Sequence, residues 1–269
     1  MLSIVIVCII LYSLVLLVSL SQIYLILKDC KFQKANSLQF QFMALITLFL
    51  IFRIAFWFLT EKAAKRNVLI FAINRLAILS FFTSFTLLLF FWMELYHGLI
   101  SSFNLTRLSS LKKPFIILNI LLYIYQIICI IMFAVSTEKI DNKNTFYNVN
   151  VLLIAGFSGL VSISFLIYGL LLYRKLRDSW GRKTQRAPLF RMLGVTIVYT
   201  VSFILRFAFF LYRPITDKLM NENIYLIFAY LLPELSAATI QIFTMRVKVK
   251  KVVRIDHQLE IQMLSEESD

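Results

Sequence analysis

The sequence predicts an all-α polytopic membrane protein, a bundle of seven transmembrane helices with its N-terminus outside the cytosol and its C-terminus in the cytosol. Hydrophobic residues make up 60% of the 269 residues and the mean hydropathy is +0.82, whereas soluble domains are about half apolar. The apolar residues fall into seven runs, each of about 20 residues or more, which is the length that crosses a bilayer core. The stretches between them are short, so one bundle accounts for the chain.

The helices are predicted in order from these runs. Pro114 and Pro188 suit the first turn of the fourth and sixth helices, and Pro214 is expected to end the sixth. The first run lacks a basic n-region and a cleavage site, so it is predicted to be a retained helix. The transmembrane domain is predicted over residues 1–245, and residues 246–269 form a cytosolic basic juxtamembrane segment and an acidic tail. The predicted spans are Ser3–Leu27, Leu38–Thr60, Val68–His97, Pro114–Val135, Val149–Tyr173, Pro188–Tyr212 and Ile224–Met245.

The orientation follows from the basic residues between the spans, which remain in the cytosol when the loops are short. One face carries 17 Lys and Arg residues and the other carries 7. The first, third and fifth loops and the tail are therefore predicted to be cytosolic. The richer face holds Lys28, Lys31, Lys34, Arg107, Lys112, Lys113, Arg174, Lys175, Arg177, Arg182, Lys183, Arg186, Arg246, Lys248, Lys250, Lys251 and Arg254. The poorer face holds Lys62, Lys65, Arg66, Lys139, Lys143, Arg213 and Lys218.

Composition argues against several classes of function. The net charge of +14 is explained by orientation rather than by a nucleic-acid surface, because the basic residues lie between apolar spans. Cys8 and Cys129 lie inside apolar runs, so neither a disulfide framework nor a thiolate metal site is expected. The only histidines are His97 and His257, which is too few for a seven-pass zinc hydrolase. We expect no enzyme activity, no metal and no cofactor.

Four charged residues lie well inside the predicted spans, away from their ends: Arg53, Arg75, Arg206 and Glu234. Each costs about 2.5 to 3.5 kcal/mol to insert, so their positions are informative. If the arginines converge, they form a basic outer cavity that Glu234 neutralises in part, and an anionic small molecule or lipid headgroup would complete it. The alternative is that the arginines extend toward the membrane surface or bond helix-end carbonyl groups, with one of them paired to Glu234 for packing. In that case Trp57, one helical turn away, can hold Arg53 without any ligand.

The third predicted helix ends in an aromatic segment that contains Trp92, Glu94, Tyr96 and His97. Glu94 and His97 are one turn apart, which would allow a proton-sensitive contact to a neighbouring helix. The alternative is an interfacial anchor, since tryptophan and tyrosine are enriched where a helix meets the membrane surface.

Two other functional classes remain open. A receptor-like ligand sensor has the same topology, but the third helix lacks the acidic-Arg-Tyr triplet of rhodopsin-type receptors and the seventh lacks Asn-Pro-x-x-Tyr. A small-solute transporter would use flexibility at Gly156 and Gly159, and a break that Pro233 is expected to introduce beside Glu234.

The segment Leu88–His97, which reads Leu-Leu-Phe-Phe-Trp-Met-Glu-Leu-Tyr-His, resembles the third-helix signature of the tobamovirus-multiplication family of plants and of its animal relatives, the lysosomal orphan receptor-like proteins. Arg53, Arg206 and Glu234 occur in the order that this family has. One difference is that Pro233 precedes the glutamate, whereas the family proline follows it. The resemblance implies a seven-pass protein of the vacuolar or lysosomal membrane that recruits cytosolic partners, among them small GTPases, and that is not an enzyme.

If the resemblance holds, the recruiting surface should be cytosolic. The fifth loop is the richest candidate, because Trp180 stands among Arg177, Arg182 and Lys183. A tryptophan among basic residues can anchor a partner protein, or it can rest at the membrane interface. The sequence therefore predicts a scaffold or regulatory protein of an endomembrane, with the plasma membrane as the alternative location.

The predicted orientation is tested by the sequon Asn104-Leu105-Thr106. It lies in the third loop, on the cytosolic face, where no glycosyltransferase acts, so we expect Asn104 to carry no glycan. Endoglycosidase treatment should leave the electrophoretic mobility of the protein unchanged and equal to that of the Asn104→Gln variant. A glycan on Asn104 would overturn the topology.

Overall fold

The computed structural model describes residues 2–29, 38–62, 67–100, 105–135, 145–179, 186–216 and 221–244. Within these ranges the chain is helical except at Asn67 and Asn221, each of which precedes a helix. Seven helices are long and apolar enough to cross a membrane, which confirms the predicted seven-helix, all-α class. The side of the membrane on which each terminus lies stays a prediction.

The helices are longer than the predicted spans, because hydropathy marks the membrane-embedded part of a helix and not its ends. Pro114 lies inside the fourth helix rather than in its first turn, and the sixth helix continues past Pro214 to Thr216. The helices are α1 (Leu2–Asp29), α2 (Leu38–Lys62), α3 (Val68–Ile100), α4 (Leu105–Val135), α5 (Thr145–Ser179), α6 (Arg186–Thr216) and α7, which comprises Glu222–Leu226, Ile227–Leu231 and Leu232–Thr244.

The third helix is the centre of the bundle. Within its span 78% of the most apolar window is buried, against 22% for α1 and 11% for α4. Helix α3 packs against α2, α4 and α5, whereas α4 lies at the edge with α3 as its main neighbour. Most isoleucines of α4 are exposed, as expected of a helix whose outer face contacts lipid.

An aromatic cluster fills the space between α3, α5 and α6. The ring centroids of Phe85 and Phe165 are 6.2 Å apart, and those of Phe165 and Tyr199 are 5.1 Å apart. Phe203 lies 5.2 Å from Phe85. Edge-to-face and tilted arrangements of this kind add to the packing energy of each ring.

Helices α5 and α6 approach each other closely at Gly169. A Cβ atom at this position would lie 3.0 Å from the Thr196 Cβ and nearer still to the methyl and hydroxyl groups of that residue. A second contact lies along the same interface, where the Ser162 hydroxyl donates to the Thr200 carbonyl oxygen over 3.0 Å. Small residues at helix crossings are the usual way in which membrane helices pack backbone against backbone.

We expect Gly169→Ala to destabilise the bundle by about 1–3 kcal/mol, because the added methyl group forces α5 away from Thr196. Gly156→Ala is the matched control on the same helix, since nothing lies within 4 Å of a Cβ at that position. The measurement is the midpoint of thermal unfolding in detergent. Equal midpoints for the two variants would contradict the close approach.

Candidate functional site

The site is organised around Glu234, which follows an irregular turn of α7. Pro233 has no N–H group to donate to the preceding turn, and its ring would clash with the carbonyl group four residues earlier. Residues Ile227–Leu231 form a π-helical turn just before it, and the Leu232 N–H donates to the Ile227 carbonyl oxygen, five residues back. Single π turns of this kind occur often at functional sites. The predicted break at Pro233 is thus a local widening within a continuous span.

Both carboxylate oxygens of Glu234 are engaged. Oε1 forms ion pairs with Arg53 Nη2 and with Arg206 Nη1, the latter at 2.7 Å. Oε2 accepts a hydrogen bond of 2.8 Å from the Tyr12 hydroxyl. All three charged side chains have no solvent exposure.

Arg53 also forms a hydrogen bond to α3, in which its Nη1 donates to Asn74 Oδ1 over 2.7 Å. We call Tyr12, Arg53, Asn74, Arg206 and Glu234 the ion cluster. Its members come from α1, α2, α3, α6 and α7, so one set of polar contacts joins five helices. Buried charges are usually paired in this way, because an unpaired charge in an apolar medium is costly.

The ion cluster carries a net charge of +1, since two guanidinium groups meet one carboxylate (2 − 1). Aromatic rings surround the excess positive charge. Arg53 lies 5.1 Å from the centroid of Tyr230, and Arg206 lies 5.1 Å from that of Phe81. Ring faces attract cations electrostatically, and more strongly where water is excluded. The other rings within 6 Å of these guanidinium groups are Phe49, Phe56, Phe82 and Phe210.

The structure brings together two of the three predicted arginines at Glu234. The third, Arg75, lies with its guanidinium 4.5 Å over the Phe71 ring, one turn earlier on α3. Trp57, the predicted aromatic partner of Arg53, is buried with its ring 5.2 Å from that of Phe56. The rings described over Arg53 are those of Phe49, Phe56 and Tyr230.

Tyr12, Asn74 and Tyr230 were not predicted from the sequence as site residues. These residues are polar or amphipathic without being ionised, so they carry a small insertion penalty and do not stand out within an apolar run. A tyrosine or asparagine within an apolar span is the one sequence signal for such a role.

The third-helix segment divides between two faces of α3. Trp92 packs against Phe165 of α5 and Tyr199 of α6, with ring centroids 5.3 and 6.1 Å apart. Tyr96 meets Tyr168 of α5 edge to face at 6.5 Å, and it lies beside the His97 ring at 5.4 Å. Glu94 instead lines a cavity between α3 and α4. A contact between Glu94 and His97 stays a prediction.

Of the predicted partner loop, only Arg177 is described, and its side chain is exposed near the end of α5. Trp180, Arg182 and Lys183 lie outside the described residues.

Within the described part of the chain, no group of three or more His, Cys, Asp or Glu side chains is placed to hold a metal ion. The thiols of Cys8 and Cys129 are free and buried.

The family model described as the THH1/TOM1/TOM3 domain matches residues 2–261. The chain belongs to this family. No curated protein matches it, and neither does any solved structure.

Membership of the THH1/TOM1/TOM3 family confirms the predicted resemblance to the tobamovirus-multiplication proteins. The protein is therefore a multi-pass membrane protein related to tobamovirus multiplication. The matched range extends from α1 to beyond α7, so it contains every member of the ion cluster.

We expect Glu234→Gln to destabilise this family member by about 3–5 kcal/mol, because two adjacent buried arginines would lose their counter-charge. Arg206→Met should cost less, since Arg53 and Glu234 would remain as a neutral pair. Adding Arg206→Met to Glu234→Gln should recover part of the loss. The measurement is the yield and thermal midpoint of monodisperse protein in detergent.

The order of these variants is what tests the ion cluster. An Arg206→Met protein as unstable as Glu234→Gln, together with a double variant that recovers nothing, would show that charge balance is not what the cluster supplies.

Proposed function

We propose that the protein is a scaffold or regulator in an endomembrane, which recruits cytosolic proteins, among them small GTPases, and catalyses no reaction. The observation that carries this proposal is the complete burial of Glu234 and of its three partners, since both carboxylate oxygens are used by Arg53, Arg206 and Tyr12. Strong internal pairing of this kind joins helices into a fixed body. It does not leave the carboxylate available for a solute or a substrate.

The length of α5 supports a docking surface at one end of the bundle. Its 35 residues span about 52 Å at about 1.5 Å per residue, whereas the bilayer core is about 30 Å thick. The helix therefore extends beyond the core, and its last two turns carry Arg174 and Arg177, both exposed. Trp180, Arg182 and Lys183 follow directly in the sequence, and the orientation predicted from charge puts this end in the cytosol.

The family supports the proposed location. Because the tobamovirus-multiplication resemblance implies a vacuolar or lysosomal membrane, we propose that membrane as the residence of the protein. The anionic-ligand hypothesis is not part of the proposal, because Arg53 and Arg206 have no solvent exposure through which such a ligand could reach them.

We expect Arg182→Glu with Lys183→Glu, and separately Trp180→Ala, to abolish most partner recruitment while leaving membrane insertion intact. Trp and Arg side chains dominate the energetics of many protein interfaces, and a reversed charge repels a partner that a cation attracted. The measurement is proximity labelling from a C-terminal tag in cells, followed by identification of the labelled proteins and imaging of the tag.

Lys139→Glu with Lys143→Glu is the matched control, because it reverses two charges in the fourth loop, on the opposite predicted face. Loss of small-GTPase labelling in the fifth-loop variants alone supports the proposal. Plasma-membrane residence with labelled heterotrimeric G-protein subunits would replace it with the receptor reading. Solute flux in reconstituted vesicles that Arg206→Met abolishes would replace it with the transporter reading.

A further inference from the structure

A cavity of about 510 Å³ lies between α3 and α4, with Gln41 of α2 contributing to its wall. Binding sites for small molecules commonly enclose about 300–1,000 Å³. The isoleucines of α4 that line the cavity, such as Ile116 and Ile120, are also exposed on the outer surface of the bundle. The cavity therefore opens sideways, toward the lipid, and a ligand can enter it from the bilayer.

The length of the cavity matches one leaflet. It runs along α3 from Thr83 to Glu94, and eleven residues at about 1.5 Å each correspond to about 16 Å. Half of a bilayer core is about 15 Å. Glu94 lies near the end of α3 and Gln41 near the beginning of α2, whereas Thr83 lies near the middle of its span. The cavity thus extends from one membrane surface to the bilayer midplane.

The polar groups in the wall are mostly neutral. The amide nitrogen of Asn119 donates to the Thr86 hydroxyl over 3.0 Å, and the Thr83 hydroxyl lies 3.2 Å from that of Tyr123. Glu94 is the one carboxylic acid among the described lining residues, and none of them is Lys or Arg. At the outer end of the cavity the Glu94 carboxylate would repel a phosphate headgroup, whereas it can accept a hydrogen bond from a neutral hydroxyl group.

The apolar part of the wall is stiff and ridged. Ile116, Ile120, Ile124 and Ile127 form the α4 side, and β-branched side chains have restricted χ1 rotamers. Phe90 faces them from α3. A rigid ligand loses less conformational entropy on entering such a cavity than a flexible acyl chain does.

From these observations we propose that the cavity between α3 and α4 binds a sterol, a neutral and rigid lipid with one hydroxyl group. The hydroxyl group lies at the Glu94 and Gln41 end, and the ring system lies along the α4 isoleucines toward the midplane. This site is separate from the ion cluster and does not depend on the recruitment of cytosolic partners.

The test uses the full-length protein in phosphatidylcholine nanodiscs and a sterol that carries a photoreactive diazirine and an alkyne. We expect labelling of peptides from α3 and α4 that excess cholesterol suppresses. Ile120→Trp should lower this labelling by about tenfold, because the indole ring overfills the cavity. Ile128→Trp should stay within about twofold of wild type; it is the matched control, since both isoleucines are on α4 and each is 52% exposed, but only Ile120 lines the cavity.

A second variant, Leu87→Trp, fills the cavity from α3 and covers the case in which Ile120→Trp does not fold, which gel filtration would reveal. Unchanged labelling in a folded cavity-filling variant would overturn the proposal. Photoreactive phosphatidylcholine or sphingosine that labels the same peptides as efficiently, without competition from cholesterol, would overturn it as well.

Discussion

The buried carboxylate of Glu234 is the constraint on which the rest of the bundle depends. Two arginines inside a bilayer are unfavourable until they meet a counter-charge, and Glu234 supplies it to both. Tyr12 and Asn74 add a hydrogen bond each, to Glu234 and from Arg53 respectively. Because α1, α2, α3, α6 and α7 must all present one residue to the same point, the ion cluster fixes their rotations and depths together. Apolar packing alone would leave both less well defined.

The π-helical turn of α7 helps to position Glu234 in the ion cluster. It relieves the conflict that Pro233 creates and so lets α7 continue through the membrane. The same turn carries Tyr230, whose ring lies within 6 Å of both guanidinium groups. In a regular α-helix, the angle between the Tyr230 and Glu234 side chains around the helix axis would differ from the one observed. The position of Glu234 in the ion cluster therefore depends on the π-helical turn that precedes it.

Much of the fold could be predicted from the sequence, because the length of an apolar run indicates a membrane span. The arginines and the glutamate of the site could be predicted as well, because charged residues are rare inside membrane spans. The sequence left open whether the arginines converge near Glu234 or only one of them pairs with it, since the answer depends on the rotation of each helix. Tyr12 and Tyr230 could not be singled out among the 12 tyrosines of the chain. The predicted ends of α4 and α6 were wrong, because backbone hydrogen bonding and not hydropathy determines where a helix begins and ends.

The ion cluster also has a consequence for the biosynthesis of the protein. Arg53 and Glu234 are 181 residues apart in the chain, and at about 5–20 residues per second the ribosome needs about 10–40 s to cover that distance. During this interval α2 and then α6 reside in the translocon or the bilayer with arginines that have no counter-charge. Only when the last helix emerges do the two arginines meet the carboxylate of Glu234. A chain that stops before α7 would present two unsatisfied intramembrane cations, a feature by which membrane quality control can distinguish it from the finished protein.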